Sequence, residues 1–141
     1  MSDKGTLIRL WDTSSAKKLH ELRRGTYQAV INELSFELLS SKYLCVSSDH
    51  DTLHIFKVSG DAKNTGSWFS ALGMVGVPVV ASEWSHCQVR LPKRNRPGSF
   101  STCMSKDDTV FIASEEGWLC TAAVKQGEQH PTKGLYFNAP E

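Results

Sequence analysis

What most constrains the fold of this chain is a short pattern that keeps returning. A polar turn is followed by a brief run of β-branched, aromatic and aliphatic residues, and the next turn arrives before a helix could form. Such runs occupy residues 5–13, 18–22, 29–36, 43–48, 52–58, 83–91, 100–104, 109–113, 118–124 and 135–138. Turn residues separate them, as at Ser14-Ser15-Ala16-Lys17, Ser40-Ser41-Lys42 and Asp49-His50-Asp51. The pattern predicts an all-β protein built from hairpins.

The runs also repeat at long range. Gly5-Thr6-Leu7-Ile8 matches Asp51-Thr52-Leu53-His54 at an offset of 46 residues. Residues 43–53 align without a gap on residues 109–119, an offset of 66. A four-stranded blade of a WD-type β-propeller takes about 40–45 residues. The first offset fits that period, and the second exceeds it by about one 20-residue insertion. The repeats therefore predict a partial WD-type β-propeller of about three four-stranded blades. Residues 1–25 would end one blade, 26–95 would form a blade carrying the insertion at 59–82, and 96–141 would form a weakly specified last blade.

Where the first blade gives way to the second stands Glu21-Leu22-Arg23-Arg24-Gly25. Neighbouring side chains of an extended strand point to opposite faces, so the two arginines would serve opposite sides of the strand end. Guanidinium is planar, permanently charged and suited to gripping phosphate. The pair is read either as two anion sites or as a solvated strand end.

The insertion is polar over residues 59–67 and then apolar and glycine-rich, with Trp68, Phe69, Leu72, Met74 and Val75. That composition suits entry into a membrane interface, where aromatic rings sit at the headgroup level. It equally suits a loop packed on its own domain. The run is too short and too rich in glycine to span a bilayer as a helix. Residues 91–98 form a basic connector bounded by prolines. Near an anionic surface each basic residue would add about 1 kcal/mol; otherwise the run is a solvated loop.

Bulk numbers narrow the partners. Hydrophobic residues make up 40% and charged residues 22% of the 141, as in a packed globular chain. The formal net charge is +1, so overall charge points to no nucleic-acid partner, and anion binding must be local. The cysteines (Cys45, Cys87, Cys103, Cys120) are far apart, and three of them lie in apolar or alternating runs that suit free buried thiols in a reducing cytosol. No metal-ligand spacing is present, the polar start at Met1 has no secretory character, and no cofactor is expected. Ser48-Asp49-His50 contains triad residue types, but consecutively in one turn, whereas triads are assembled from distant segments. Without a nucleophile elbow, a zinc-protease helix or a phosphate loop, no catalytic residue is assigned and an enzyme is not expected.

Three segments in order carry a family resemblance: residues 5–13 (GTLIRLWDT), 21–26 (ELRRGT) and 45–56 (CVSSDHDTLHIF). Together they resemble the PROPPIN (WIPI) family, seven-bladed propellers that bind phosphoinositides and act in autophagy. The resemblance is specific over residues 5–58, rests on position through 59–95 and thins beyond. It implies the C-terminal portion of such a propeller, since seven blades take more than twice this length. It also implies recognition of phosphatidylinositol 3-phosphate and phosphatidylinositol 3,5-bisphosphate through Leu22-Arg23-Arg24-Gly25, where Leu22 stands for the more usual phenylalanine. Carried over, Arg23 would join Arg9 and Thr6 in one pocket, and Arg24 would join Ser47, Thr52 and His54 in the other. The inserted loop would enter the membrane. A cytoplasmic protein peripheral to pre-autophagosomal, endosomal or lysosomal/vacuolar membranes is implied, with a lipid-transfer protein of autophagy as partner. The alternative is a WD-repeat scaffold that binds protein and has lost its lipid sites. An imidazole contact binds phosphate better when protonated, so His54 implies binding that strengthens toward mildly acid pH.

Overall fold

The computed structural model describes residues 3–58, 82–93 and 99–136. Trp68, Phe69, Leu72, Met74 and Val75, the residues expected to enter a membrane, lie outside the described residues. Every regular element among those described is a strand: β1 (Leu7–Trp11), β2 (Lys18–Arg23), β3 (Ile31–Phe36), β4 (Tyr43–Ser48), β5 (Thr52–Lys57), β6 (Glu83–Trp84), β7 (Cys87–Arg90), β8 (Phe100–Met104), β9 (Thr109–Ser114), β10 (Trp118–Ala123), β11 (Gly127–Gln129) and β12 (Lys133–Tyr136). They form three sheets, ordered β1-β2-β6, β11-β7-β5-β4-β3 and β12-β10-β9-β8. The hairpins expected from the turns are there, with β1 on β2, β3 on β4 on β5, and β8 on β9 on β10, all antiparallel.

Stacking explains the apolar continuity of residues 43–48. Every residue of β4 is buried, because the middle sheet is covered on both faces. Alternation sends Tyr43 and Cys45 to one side, where they meet Phe100, Val110, Ile112 and Trp118 of the third sheet. Leu44 and Val46 go to the other side, where with Phe56 they meet Ile8 and Leu22 of the first sheet. Face-to-face packing of twisted sheets about 10 Å apart is how propeller blades share their cores. The arc of blades is thus a partial propeller. Its sheets hold three, five and four strands rather than four each.

The difference comes from two exchanged strands. Residues 83–91 read as one strand, yet the chain breaks at Ser85-His86 and changes sheets. Glu83 and Trp84 pair parallel with Leu22 and Arg23, while Cys87–Arg90 pairs antiparallel with β5. The open edge of β2 would otherwise expose unpaired backbone groups, and β6 satisfies two residues' worth of it. Likewise Gly127–Gln129, not expected as a strand, runs parallel along the outer edge of β7. Cys45, Cys87 and Cys120 are buried free thiols, and Cys103 is exposed.

Candidate anion-binding site

The register sorts the two arginines. Leu7 pairs with Arg23 and Arg9 with Glu21, so Arg9, Glu21 and Arg23 share the face of the first sheet turned away from the middle sheet. Leu22 on the opposite face is fully buried against the middle sheet, and Arg24, past the strand end, follows an inward course to only 4% exposure. The divergence expected of adjacent residues in an extended chain is realised.

Arg24 is held by main-chain oxygens. Its Nε donates to Gly5 O at 3.0 Å, and its Nη2 donates to Tyr27 O. Its own amide donates to Thr6 O at 2.9 Å. Gly5 has φ 61°, the left-handed conformation glycine adopts without strain, and this turns its carbonyl toward the guanidinium. Burial lowers the pKa of Arg24 from its ordinary value, and Asp49 partly opposes that shift.

Around Arg24 opens a pocket of about 230 Å³, lined by the 24–27 turn, His50, Thr52, His54, Trp84, Gln88 and Arg90. The middle sheet supplies its far wall. Thr52 pairs with Arg90 and His54 with Gln88 across β5 and β7, so these four side chains stand in a block on one face. Arg90 Nη1 donates to Thr52 Oγ1 at 3.1 Å. His54 Nδ1 lies 3.3 Å from Ser85 Oγ, which also accepts a hydrogen bond from Gln88 Nε2 at 3.1 Å. Among the described residues the lining carries two guanidiniums and no carboxylate. A concave, partly desolvated site with two fixed cations, a hydroxyl, an amide and imidazoles is suited to an anion of phosphate type.

Several expectations change in this geometry. His54 is in place but uncharged: burial, then the fields of Arg24, Arg90 and His50, lower its pKa to about 3. It is therefore neutral from neutral pH down to mildly acid pH, and the expected gain in binding toward acid has no proton to carry it. Ser47 is separated from Arg24. It follows Cys45 onto the other face of β4, where Oγ donates to Phe100 O at 3.3 Å. Its neighbour Ser48 shares the face of Val46 and Thr52, and its Oγ accepts the His50 amide at 3.3 Å.

The other group, Thr6, Arg9 and Arg23, is looser. Arg9 Nε lies 2.8 Å from Glu21 Oε2, an oxygen that Lys18 Nζ also approaches at 3.3 Å, and the Arg9 hydrogen bond holds the Glu21 pKa down. Arg23 Nε donates to Ser82 Oγ at 3.0 Å. Thr6 is half-buried and gives its carbonyl to Arg24. An anion arriving at Arg9 must therefore compete with Glu21. Arg90, Gln88, Trp84, His50 and the Tyr27 carbonyl were not anticipated. For Arg90 and Gln88 a signal existed: their two-residue spacing in a strand beside β5 puts both on the face of Thr52 and His54.

Comparison with known proteins gives this geometry a family. The PROPPIN family model matches residues 1–90. Autophagy-related protein 18 of Mycosarcoma maydis is 52% identical over 61 residues, covering 43% of this chain and 13% of that protein. Autophagy-related protein 18 of Dictyostelium discoideum is 44% identical over 70 residues, covering 50% of this chain and 18% of that one. Among solved structures, Hsv2 of Kluyveromyces lactis superposes with a TM-score of 0.73 at 23% identity, over 97% of this chain and 42% of its own. The chain thus spans less than half the length of the relatives it matches. With a family match over well more than half of its residues, the chain belongs to the PROPPIN family.

Proposed function

We propose that this chain is a phosphoinositide-binding, peripheral membrane component of autophagy, and not an enzyme. The observation that carries the reading is the Arg24 pocket, where a buried guanidinium fixed by two carbonyls faces Arg90 and Thr52 across a cavity with no carboxylate among its described lining residues. Its ligand is the phosphorylated inositol of phosphatidylinositol 3-phosphate or 3,5-bisphosphate. Arg24, Arg90, Thr52 and neutral His54 contact one headgroup, while Arg23, Arg9 and Thr6 form a second, shallower site. In the same reading, Trp68, Phe69, Leu72, Met74 and Val75 enter the lipid, and the chain acts on pre-autophagosomal, endosomal or lysosomal/vacuolar membranes beside a lipid-transfer protein. Membership in the PROPPIN family and likeness to autophagy-related protein 18 support this.

The test is flotation with vesicles containing either phosphoinositide, against phosphatidylcholine and phosphatidylserine controls. Wild-type chain should float with the phosphoinositide vesicles, and the Arg23→Thr/Arg24→Thr double variant should not. Floating equally well after both substitutions would sink the lipid reading and leave a protein-binding scaffold.

A further inference from the structure

Arg90 stands at the rim of the pocket, and a residue outside the lining holds it. Edge strand β11 runs parallel to β7 with Glu128 opposite Gln88. From there Glu128 Oε2 reaches Arg90 Nε at 3.1 Å, while Nη1 of the same guanidinium donates to Thr52 Oγ1 at 3.1 Å. The two side chains are half-exposed, at 51% and 50%. One edge of the guanidinium is thereby held by a carboxylate while the side chain lines a cavity suited to anions. Arg24 differs in its surroundings: it is buried and its guanidinium is fixed by uncharged main-chain carbonyls, with Asp49 acting on it only through its field.

We propose that Glu128 is a specificity-determining residue of this pocket. It aligns Arg90 for one phosphate while its negative charge disfavours a second phosphate at the rim. This rests on the phosphoinositide reading and extends it to preference: at this pocket the chain favours the monophosphorylated headgroup. The acid acts by two separable routes, a hydrogen bond that aligns the guanidinium and a charge that repels an added phosphate. Glutamine at this position keeps an oxygen for Arg90 Nε and loses the charge. Between partly exposed charges, such an effect amounts to about two- to five-fold in affinity.

The experiment titrates the 141-residue chain with vesicles containing phosphatidylinositol 3-phosphate or phosphatidylinositol 3,5-bisphosphate, following flotation. It compares wild type with Glu128→Gln, Arg90→Gln and the double variant. Glu128→Gln should raise affinity for the bisphosphate about two- to five-fold and leave the monophosphate within error. In the Arg90→Gln background the same change should have no such effect, because the repelled phosphate no longer docks there. An equal rise for both lipids, or a rise that survives without Arg90, would mean general surface charge and would overturn the proposal. A fall in binding for Glu128→Gln would overturn it too. A wild-type chain that binds neither vesicle removes the phosphoinositide reading itself, a result distinct from wild type that binds with an unaltered preference in Glu128→Gln.

Discussion

Replacing Gly5 with alanine tests whether the Arg24 pocket is built as described. A Cβ at Gly5 would stand 1.9 Å from Ala29 O and 3.0 Å from Ala29 C. The clashing atom is main chain, and that main chain is pinned: Ala29 is buried, and its amide donates to Lys4 O at 3.0 Å. Residue 29 would have to retreat by about 1.5 Å to regain the 3.4 Å of ordinary contact. With φ at 61°, alanine there also occupies the left-handed region, at about 1–2 kcal/mol. Loss of the Ala29–Lys4 hydrogen bond and displacement of the carbonyl that holds Arg24 add about another 1–3 kcal/mol. The sum is roughly 2–5 kcal/mol, enough to be plain in a urea unfolding curve.

Gly25 supplies the control. It stands in the Arg-Arg-Gly motif and so draws attention in the sequence, yet a Cβ there meets nothing within 4 Å. Its φ is also outside the left-handed region. Gly25→Ala should move stability by no more than about 0.5 kcal/mol. Unfolding midpoints for wild type, Gly5→Ala and Gly25→Ala, with vesicle flotation of each, make the comparison. The reasoning fails if Gly5→Ala unfolds at the wild-type midpoint, or if Gly25→Ala proves the more damaging of the two.

Three further outcomes are expected. His54 has a pKa near 3 in the folded chain against an ordinary 6.5, so between those values the unfolded chain takes up a proton that the folded chain refuses. Its contribution is complete above about pH 6.5 and declines as pH falls, by at most about 1.4 kcal/mol per pH unit; urea midpoints at pH 7.5, 6 and 5 should show a shallower fall for His54→Asn. Vesicle binding of the wild type should not strengthen between pH 7 and 5.5, and a marked rise that His54→Asn abolishes would contradict a neutral imidazole. Ser47→Ala should cost about 1 kcal/mol through its lost bond to Phe100 O, while affinity for phosphoinositide vesicles stays at the wild-type value.

The strands were legible because their cause is local: alternation, β-branched residues and turn chemistry act within each run. The same is true of the divergence of Arg23 from Arg24, which needs only the two-residue period of a strand. Exchanged strands were not legible. Nothing in Glu83-Trp84 says that it will leave β7 and close the edge of β2, since that edge is offered by a segment about sixty residues earlier. The serine failed for a subtler reason. Ser47 and Ser48 are adjacent and chemically identical, and the face each takes depends on a one-residue register that only the packing of Leu44 and Val46 against Ile8 and Leu22 fixes. For His54 the position was legible and the charge was not, because its pKa is set by burial and by Arg24 and Arg90, which arrive from other strands and segments of the chain.

These facts bear on how substitutions in the arginine pair are to be interpreted. Arg24 holds the Gly5 and Tyr27 carbonyls, so its loss leaves the buried Gly5 acceptor unpaired and loosens the joint between the first and middle sheets. Among the described residues Arg23 Nε donates to a hydroxyl, Ser82 Oγ, on a half-buried face. Arg23→Thr should therefore leave the unfolding midpoint nearly unchanged, and Arg24→Thr should lower it by about 2–4 kcal/mol, the loss of two charge-assisted hydrogen bonds less some relaxation. Lost flotation after both substitutions then has two possible causes, a missing ligand contact or a collapsed pocket. Arg90→Gln distinguishes them, because Arg90 is half-exposed and its removal spares the carbonyl joint. If Arg90→Gln reduces flotation at an unaltered midpoint, the pocket binds phosphate in its own right. If only the destabilised Arg24 variant loses binding, the motif is a structural joint and the lipid contact lies elsewhere.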